Sequence, residues 1–301
     1  MHKHAYLIMA YSNPDQLSKL IGLLDDCRND IYVHIDAEAD FPMDRLKGAA
    51  HQASLVVTER VPVRWADYSQ MKAEFVLLET ARNSGKRYSY YHLLSGMDLP
   101  IKTQDEIHRF FDGQTDEFIG IVSRESQYNR NHVRYLYPLL RTKLYRKYKL
   151  VRCFNVAFVL LQKLLGVDVQ KKRNTEGWAF YDGWTWFSIT EDFVEYVLSK
   201  KALVDSVFCN SKASDEKVLQ TLAYNSDFRD RLHDMKDLKK GSMRYIDWKR
   251  GTPYVFRSSD FDELMASPCM FARKFDERVD SEIIDKIYAH LLREGKFSAE
   301  I

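Results

Sequence analysis

The sequence begins its regular pattern with the apolar run Tyr6-Leu7-Ile8-Met9-Ala10 and returns to a similar run at Ile31-Tyr32-Val33-His34-Ile35. Between them, in residues 14–27, leucine and isoleucine recur three or four positions apart, as on one face of an amphipathic helix. A strand, a helix and a second strand in this order form a βαβ unit. This unit predicts parallel strands.

The same alternation continues outward along the chain. Residues 55–58 and 88–94 have the composition of strands, and residues 69–84 between them have a helical pattern. A short helix over 105–111 and a strand over 118–122 follow. Because alternating strands and helices favour a sheet covered on both faces, we predict an α/β fold with a mostly parallel central sheet flanked by helices.

The second half of the chain is less regular. Its patterns indicate helices over 191–203, 215–223 and 281–293, and an irregular strand region over 244–256. No internal repeat, low-complexity segment or Pro/Ser-rich linker interrupts the sequence. We therefore predict one domain over 1–301, with a nucleotide-binding half over 1–123 and an acceptor-binding and catalytic half over 124–301.

Composition excludes several classes of protein. The 301 residues hold 45 Lys plus Arg against 43 Asp plus Glu, and a formal charge of +2 does not indicate a nucleic-acid binder. The four cysteines form no CxxC pair and have no histidine at zinc-ligand spacing, so neither disulfides nor structural zinc are expected. No signal peptide and no membrane span are visible, and we expect a cytoplasmic protein.

One segment leaves two interpretations open. Residues 153–167 are nearly all apolar, and basic residues precede them at 141–149. A buried helix is one interpretation. The other is a helix on the inner face of the membrane, because basic flanks and an apolar face suit an interfacial helix.

Two strand ends carry polar residues that could contact a ligand. Asp36 follows the second strand, and Ser95-Gly96-Met97-Asp98 ends another. Ligands of open α/β sheets bind at the carboxyl ends of strands. A turn or a helix cap would account for the same residues without a ligand.

A carboxylate and two basic segments are further candidates. In Ser214-Asp215-Glu216, we expect a helix to begin and its dipole to lower the pKa of Glu216, which suits a general base. Trp248-Lys249-Arg250-Gly251 and the segment containing Lys274 place cations near aromatic residues, as in phosphate sites.

Taken in order, these segments resemble the core-2/I-branching β-1,6-N-acetylglucosaminyltransferase family, which includes protein xylosyltransferase catalytic domains and bacterial relatives. The resemblance implies a GT-A type fold and an inverting, metal-independent transfer from a UDP-sugar. The segments that carry it are 5–10, 32–36, 95–103, Trp186-Phe187, 214–216 and 271–276. The metal-binding Asp-x-Asp of other GT-A enzymes is absent from the expected position, since Asp260-Phe261-Asp262 comes late in the chain.

The resemblance also assigns roles to residues of this sequence. Glu216 corresponds to the catalytic base, and Lys274 to a lysine that contacts the diphosphate. Arg250 is taken as its arginine partner, although a gap-free alignment puts Gly251 there. The remaining nucleotide contacts are Asp36, Trp65, Ser95 and Asp98, and the acceptor contacts are Glu125, Arg134 and Trp248.

The predicted reaction is the transfer of N-acetylglucosamine from its UDP donor to a carbohydrate hydroxyl, without a metal, in bacterial surface polysaccharide synthesis. The acceptor is a carbohydrate or a lipid-linked saccharide. Two alternatives remain: a glycoside hydrolase, with Asp36 or Asp98 as the second carboxylate, and a non-catalytic carbohydrate-binding protein.

Overall fold

The computed structural model describes residues 3–122, 127–140, 142, 144–172, 175 and 177–298. Two sheets lie within this part of the chain. The strands of the larger one and of the smaller one together are β1 (Lys3–Ala10), β2 (Asn29–Ile35), β3 (Ser54–Val57), β4 (Tyr88–Ser95), β5 (Asp98–Pro100), β6 (Phe118–Ile121), β7 (Gly183–Thr190), β8 (Arg244–Ile246) and β9 (Phe271–Arg273).

The larger sheet has six strands in the order β3-β2-β1-β4-β7-β6. Strands β3, β2, β1 and β4 are parallel, and β7 is antiparallel to both of its neighbours. The predicted α/β fold with a mostly parallel central sheet is confirmed. Strand β7 comes from the second half of the sequence yet lies between strands of the first half. It therefore joins the second half of the sequence to the first within one sheet.

Helices cover both faces of the sheet because alternate residues of its strands point to opposite sides. Tyr6 and Ile8 belong to one apolar cluster, with α1 and α12, whereas Ala5 and Leu7 belong to the other, with α2 and α7. The helices are α1 (Pro14–Leu24), α2 (Ser69–Arg82), α3 (Gln104–Phe111), α4 (Gln127–Arg134), α5 (Leu144–Lys147), α6 (Lys149–Leu164), α7 (Glu191–Ser199), α8 (Lys201–Phe208), α9 (Val218–Tyr224), α10 (Leu238–Ser242), α11 (Phe261–Ala266) and α12 (Ser281–Ser298).

The structure differs from the sequence prediction at three elements of the second half. The single helix expected over 191–203 is divided at Lys200, where α7 ends and α8 begins. Helix α9 begins at Val218, and the strand expected over 244–256 extends only to Ile246. Beyond Ile246, the carboxylate of Asp247 accepts hydrogen bonds from the amides of Lys249 and Arg250, which forms a turn instead of a strand.

Helix α6 excludes one of the two interpretations of residues 153–167. Its buried residues are polar, Asn155 and Gln162, while Leu150, Leu160 and Leu164 are 82%, 53% and 85% exposed. The interpretation as a buried core helix is therefore wrong. None of the helices in the described ranges is long and apolar enough to cross a membrane.

Candidate active site

The carboxyl ends of the parallel strands bring the predicted ligand contacts to one edge of the sheet. The amide of Asp36, just after β2, donates to the carbonyl of Ala10 at 2.9 Å, and the amide of Gly96 donates to that of Met9 at 2.9 Å. A Cβ added to Gly96 would lie 3.0 Å from the Cβ of Ala10, so the chain needs a small residue here. The loops after β1, β2 and β4 thus meet at one place.

Asp36 shapes the loop that carries Trp65. Its Oδ1 accepts hydrogen bonds from the amides of Glu38 and Val63, at 3.0 and 3.1 Å. The turn role that the sequence left open is therefore present. Trp65, two residues beyond Val63, is 61% exposed. An exposed indole beside a strand end is available to stack on a planar ligand such as a base.

Glu216 lies in a turn that precedes helix α9. The carbonyl of Ser214 accepts from the amides of Lys217 and Val218, at 3.0 and 2.9 Å, and the helix begins only at Val218. Asp215 is buried, and its Oδ2 accepts hydrogen bonds from Gln70 Nε2 and Thr185 Oγ1, both at 3.0 Å. Asp215 thereby fixes the turn, and the neighbouring Glu216 is exposed.

The sequence predicted a lowered pKa for Glu216. This prediction is wrong, because the pKa of Glu216 is raised to about 7. Desolvation by the surrounding protein is the largest cause, and the charge of Asp215 adds to it, while Lys217 opposes the shift. The expected helix dipole is weaker because Glu216 precedes the first helical residue by two positions. A carboxylate with a pKa near 7 suits a general base at neutral pH.

A second buried carboxyl lies behind Asp215. Glu74 of α2 is fully buried, and neither of its carboxyl oxygens has a hydrogen-bonding partner among the described residues. Burial and the charge of Asp215 raise the pKa of Glu74 well above its usual value. Burial therefore favours the protonated, neutral form of Glu74.

Two alanines with left-handed backbone angles hold the loop of Trp65 against the turn of Glu216. Ala66 has φ 60° and Ala213 has φ 50°, and the amide of Ala213 donates to the carbonyl of Ala66 at 2.9 Å. Gln70 joins the same two loops, since its Oε1 accepts from the amide of Ala66 at 2.8 Å and its Nε2 donates to Asp215. Non-glycine residues in this region are strained and concentrate at functional sites.

Ser95 and Asp98 lie behind a buried arginine. The amide and hydroxyl of Ser95 donate to the Asp98 carboxylate at 2.9 and 2.8 Å, and Arg273 Nε is 3.5 Å from Asp98 Oδ1. The Arg273 guanidinium also lies 4.0 Å from the ring centre of Trp186. Ser95 and Asp98 thus orient Arg273, which the residue assignment from sequence had not included.

Lys274 follows Arg273 at the end of β9. Burial, and then the charge of Arg273, lower the pKa of Lys274. In the part of the chain that the structure describes, no carboxylate lies within salt-bridge distance of its amine. Two adjacent cations with so little compensation favour an anionic ligand, and a diphosphate has the required charge.

Arg250, by contrast, is already surrounded by acids. Its guanidinium pairs with Asp247, with Asp260 at 2.6 Å and with Glu263 at 3.1 Å. The backbone nevertheless brings its loop toward Lys274, whose amide lies 3.4 Å from the carbonyl of Tyr254. Trp248 of the same loop is 51% exposed. A diphosphate would have to compete with three carboxylates for Arg250, whereas Arg273, which directly precedes Lys274, pairs with Asp98 alone among the described residues.

Strand β7 joins the acidic and basic parts of the site. Thr185 donates to Asp215, next to Glu216, and the adjacent residue Trp186 contacts Arg273. The amide of Gly183 donates to the carbonyl of Glu216 at 2.9 Å. Residues of one short strand therefore contact both the candidate base and the candidate diphosphate site.

The predicted acceptor contacts are only partly placed. Glu125 lies outside the described residues. Arg134, in α4, pairs with Asp168 at 2.8 Å. Helix α4 borders the turn of Glu216, because the amide of Lys212 donates to the carbonyl of His132 at 3.2 Å. Arg134 therefore belongs to a helix that contacts the turn of Glu216.

Other parts of the molecule offer less for this chemistry. Among the described residues, no three His, Cys, Asp or Glu side chains are grouped so that they could hold a metal ion. A cavity of about 630 Å³ lies at the opposite, amino-terminal edge of the sheet, lined by His4, Arg28, Ser89 and their neighbours. None of the predicted site residues lines it, and we attach no catalytic role to it.

Comparison with known proteins identifies a family that this chain matches. The model of the family "Core-2/I-Branching enzyme" matches residues 4–274. This range contains the turn of Glu216 and ends at Lys274.

Curated relatives are distant but extensive matches. Xylosyltransferase 2 of Rattus norvegicus is 23% identical over 310 residues, covering 95% of this chain and 33% of that protein. Xylosyltransferase 1 of the same organism is 24% identical over 282 residues, covering 86% of this chain and 32% of that protein. The Bos taurus "Beta-1,3-galactosyl-O-glycosyl-glycoprotein beta-1,6-N-acetylglucosaminyltransferase" is 22% identical over 317 residues, covering 95% and 69%. The chain thus spans about a third of the length of the two xylosyltransferases.

Proposed function

Because the chain belongs to the core-2/I-branching enzyme family and is a glycosyltransferase, we propose that it transfers a sugar from a UDP-sugar to a carbohydrate hydroxyl with inversion. One observation carries this proposal. Strand β7 contacts both the turn of a carboxylate whose pKa is about 7, Glu216, and a buried arginine beside Lys274. A base and an anion site are the two groups that this transfer requires.

The proposed mechanism is a single displacement. Glu216 accepts the proton of the acceptor hydroxyl, the hydroxyl oxygen forms a bond to the anomeric carbon, and the bond from that carbon to UDP breaks. A single step of this kind inverts the anomeric configuration. No covalent intermediate between sugar and enzyme is required, so one carboxylate base is enough.

Arg273 and Lys274 stabilise the negative charge that develops on the leaving diphosphate. Asp98 and Ser95 orient Arg273, whose side chain is only 14% exposed and is therefore restricted in its conformation. Cations held in place before the reaction stabilise developing charge without reorganisation. Asp36 and Trp65 are proposed to hold the uridine. Arg250 is proposed to contact the diphosphate only when its ion pairs with neighbouring carboxylates break.

We propose N-acetylglucosamine as the sugar that is transferred. The name of the bovine relative supports this donor, and the names of the rat relatives make xylose the alternative. The test is a screen of UDP-sugars with the purified protein and a panel of glycans, followed by mass spectrometry. Transfer from UDP-xylose alone would reject the N-acetylglucosamine assignment, and release of sugar without any nucleotide donor would support a hydrolase.

The acceptor is proposed to be a lipid-linked saccharide of a bacterial surface polysaccharide, at the inner face of the membrane. Arg134 and Trp248 are the described residues proposed to contact it. The position of α4 beside the turn of Glu216 supports this role for Arg134.

Transfer is expected to persist in excess chelator. The proposed leaving-group stabilisation uses Arg273 and Lys274, so removal of divalent cations should leave the rate nearly unchanged. The measurement is UDP release with EDTA and after addition of Mn²⁺. A rate that collapses in EDTA and returns with Mn²⁺ would refute metal-independent transfer.

The rate should rise with pH through an apparent pKa near 7. Glu216 accepts a proton only in its ionised form, and its raised pKa leaves it largely protonated below pH 7. Measured kcat/KM for a neutral acceptor should therefore fall about tenfold per pH unit well below that value. A profile that stays level through this region would contradict the role of Glu216.

A further inference from the structure

Helix α6 and its basic surroundings form a surface that the proposed reaction does not use. We call this surface the α6 face and define it by Leu150, Cys153, Ala157, Leu160 and Leu164. These residues recur at spacings of three and four and therefore share one side of the helix. All of them are exposed.

The orientation of α6 is the reverse of that in an ordinary surface helix. Its uncharged polar residues are buried: Gln162 Oε1 accepts from the amide of Leu136 at 2.9 Å, and its Nε2 donates to the Leu136 carbonyl at 3.0 Å. Asn155 is also buried. The two hydrogen bonds of Gln162 fix this orientation, so the apolar side cannot simply rotate into the protein. Contiguous exposed apolar surface of this kind marks an interaction site.

The charge around the α6 face has one sign. Between Glu125 and Asp168, the sequence contains no Asp or Glu. The Arg and Lys residues of the same interval are Arg130, Arg134, Arg141, Lys143, Arg146, Lys147, Lys149, Arg152 and Lys163. Since the whole chain has a formal charge of only +2, this interval is a strongly basic part of a nearly neutral protein.

The described cations border the apolar side. Lys149, Arg152 and Lys163 are exposed. On a helical projection they lie along one side of the line through Cys153, Ala157 and Leu164 and do not interrupt it. Apolar residues in the centre and cations at the border match the two layers of a membrane interface, acyl chains beneath anionic headgroups.

We propose that the α6 face docks the protein reversibly on an anionic lipid membrane. A second copy of the chain is a poorer occupant, because two such surfaces would bring their cations together and repel each other. Docking would also place the acceptor side toward the membrane, since Gln162 binds Leu136, which closely follows Arg134 of α4. That consequence rests on the proposed function, whereas docking itself does not.

The test is flotation of the full chain with vesicles of phosphatidylcholine, with and without phosphatidylglycerol. Binding is expected only with phosphatidylglycerol and should weaken as ionic strength rises. The variant Leu160→Gln/Leu164→Gln should bind at least about tenfold more weakly per leucine. The variant Lys149→Gln/Arg152→Gln should lose about fivefold per cation.

Matched controls separate docking from folding. Leu292→Gln on α12 removes another exposed leucine, and Lys72→Gln on α2 removes another exposed lysine, and both should float like the unchanged protein. Thermal unfolding and transfer to a water-soluble acceptor should be unaffected in the α6 variants. Transfer that fails while flotation persists would contradict the proposed reaction and leave docking intact.

Three results would overturn the proposal. They are no flotation with anionic vesicles at low ionic strength, equal flotation of all variants, and a dimer in sedimentation that the leucine substitutions dissociate. The last result would identify a second copy of this chain as the occupant.

Discussion

Replacement of Glu216 with glutamine is expected to lower turnover by about 10²–10⁴-fold, the usual contribution of a general base. Glutamine has nearly the same shape but cannot accept the hydroxyl proton. The affinity for UDP should change little, because the diphosphate is proposed to bind Arg273 and Lys274 and not Glu216. The measurements are UDP release under saturating substrates and calorimetric titration with UDP.

The matched control for this substitution is Glu195→Gln, a change of the same kind on the exposed surface of α7. It should retain full turnover. Turnover of Glu216→Gln within about threefold of the unchanged protein would reject Glu216 as the base, since the range expected for a base begins far above that.

Replacement of Lys274 with alanine should weaken the binding of UDP far more than that of uridine. Only UDP has the diphosphate charge, and a hydrogen bond to a charged group contributes about 1.5–3 kcal/mol. The loss for UDP should therefore be of this size, with uridine affinity nearly unchanged. Calorimetric titration with both ligands measures the difference directly.

Lys72→Ala provides the control, because Lys72 is exposed on α2 and lies outside both basic segments. It should leave both affinities unchanged. If Lys274→Ala weakened UDP and uridine equally, Lys274 would support the fold of the site instead of contacting the diphosphate.

The strands near the amino terminus were predictable because their signal is local. A short apolar run such as 31–35 is typical of a buried strand. Strand β2, at Asn29–Ile35, is only two residues longer than predicted. The carboxyl edge followed from the same pattern, since parallel strands must end together. Asp36 and Ser95 were therefore expected at the site before any contact was known.

The electrostatics of Glu216 were not predictable, because they depend on residues far away in the sequence. Asp215 is held by Gln70, 145 positions away, and by Thr185, 30 positions away. Sequence placed the carboxylate at a helix start, where its pKa would fall. The tertiary structure instead surrounds it with protein and a second carboxylate, and the pKa rises.

Arg250 and Arg273 show a second limit of the sequence. The resemblance indicated an arginine near Lys274 and pointed to the loop of Arg250, whereas the fold brings three acids to that residue. Arg273 directly precedes Lys274, and the signal that could have found it is the pairing of β9 with β5, which sets Arg273 opposite Asp98. Pairing of short, distant strands leaves little trace in composition.

At neutral pH, Glu74 lowers the stability of the folded protein near the proposed base, Glu216. The pKa of Glu74 in the folded protein is well above the usual 4.5. As the pH rises past 4.5, the unfolded chain therefore loses this proton before the folded protein does. Ionisation therefore favours unfolding at neutral pH. Directed evolution toward thermostability would gain by removing this carboxyl, yet Asp215 beside it helps to set the pKa of Glu216. Selection for heat resistance should therefore favour an uncharged residue at position 74, whereas selection for turnover should retain Asp215.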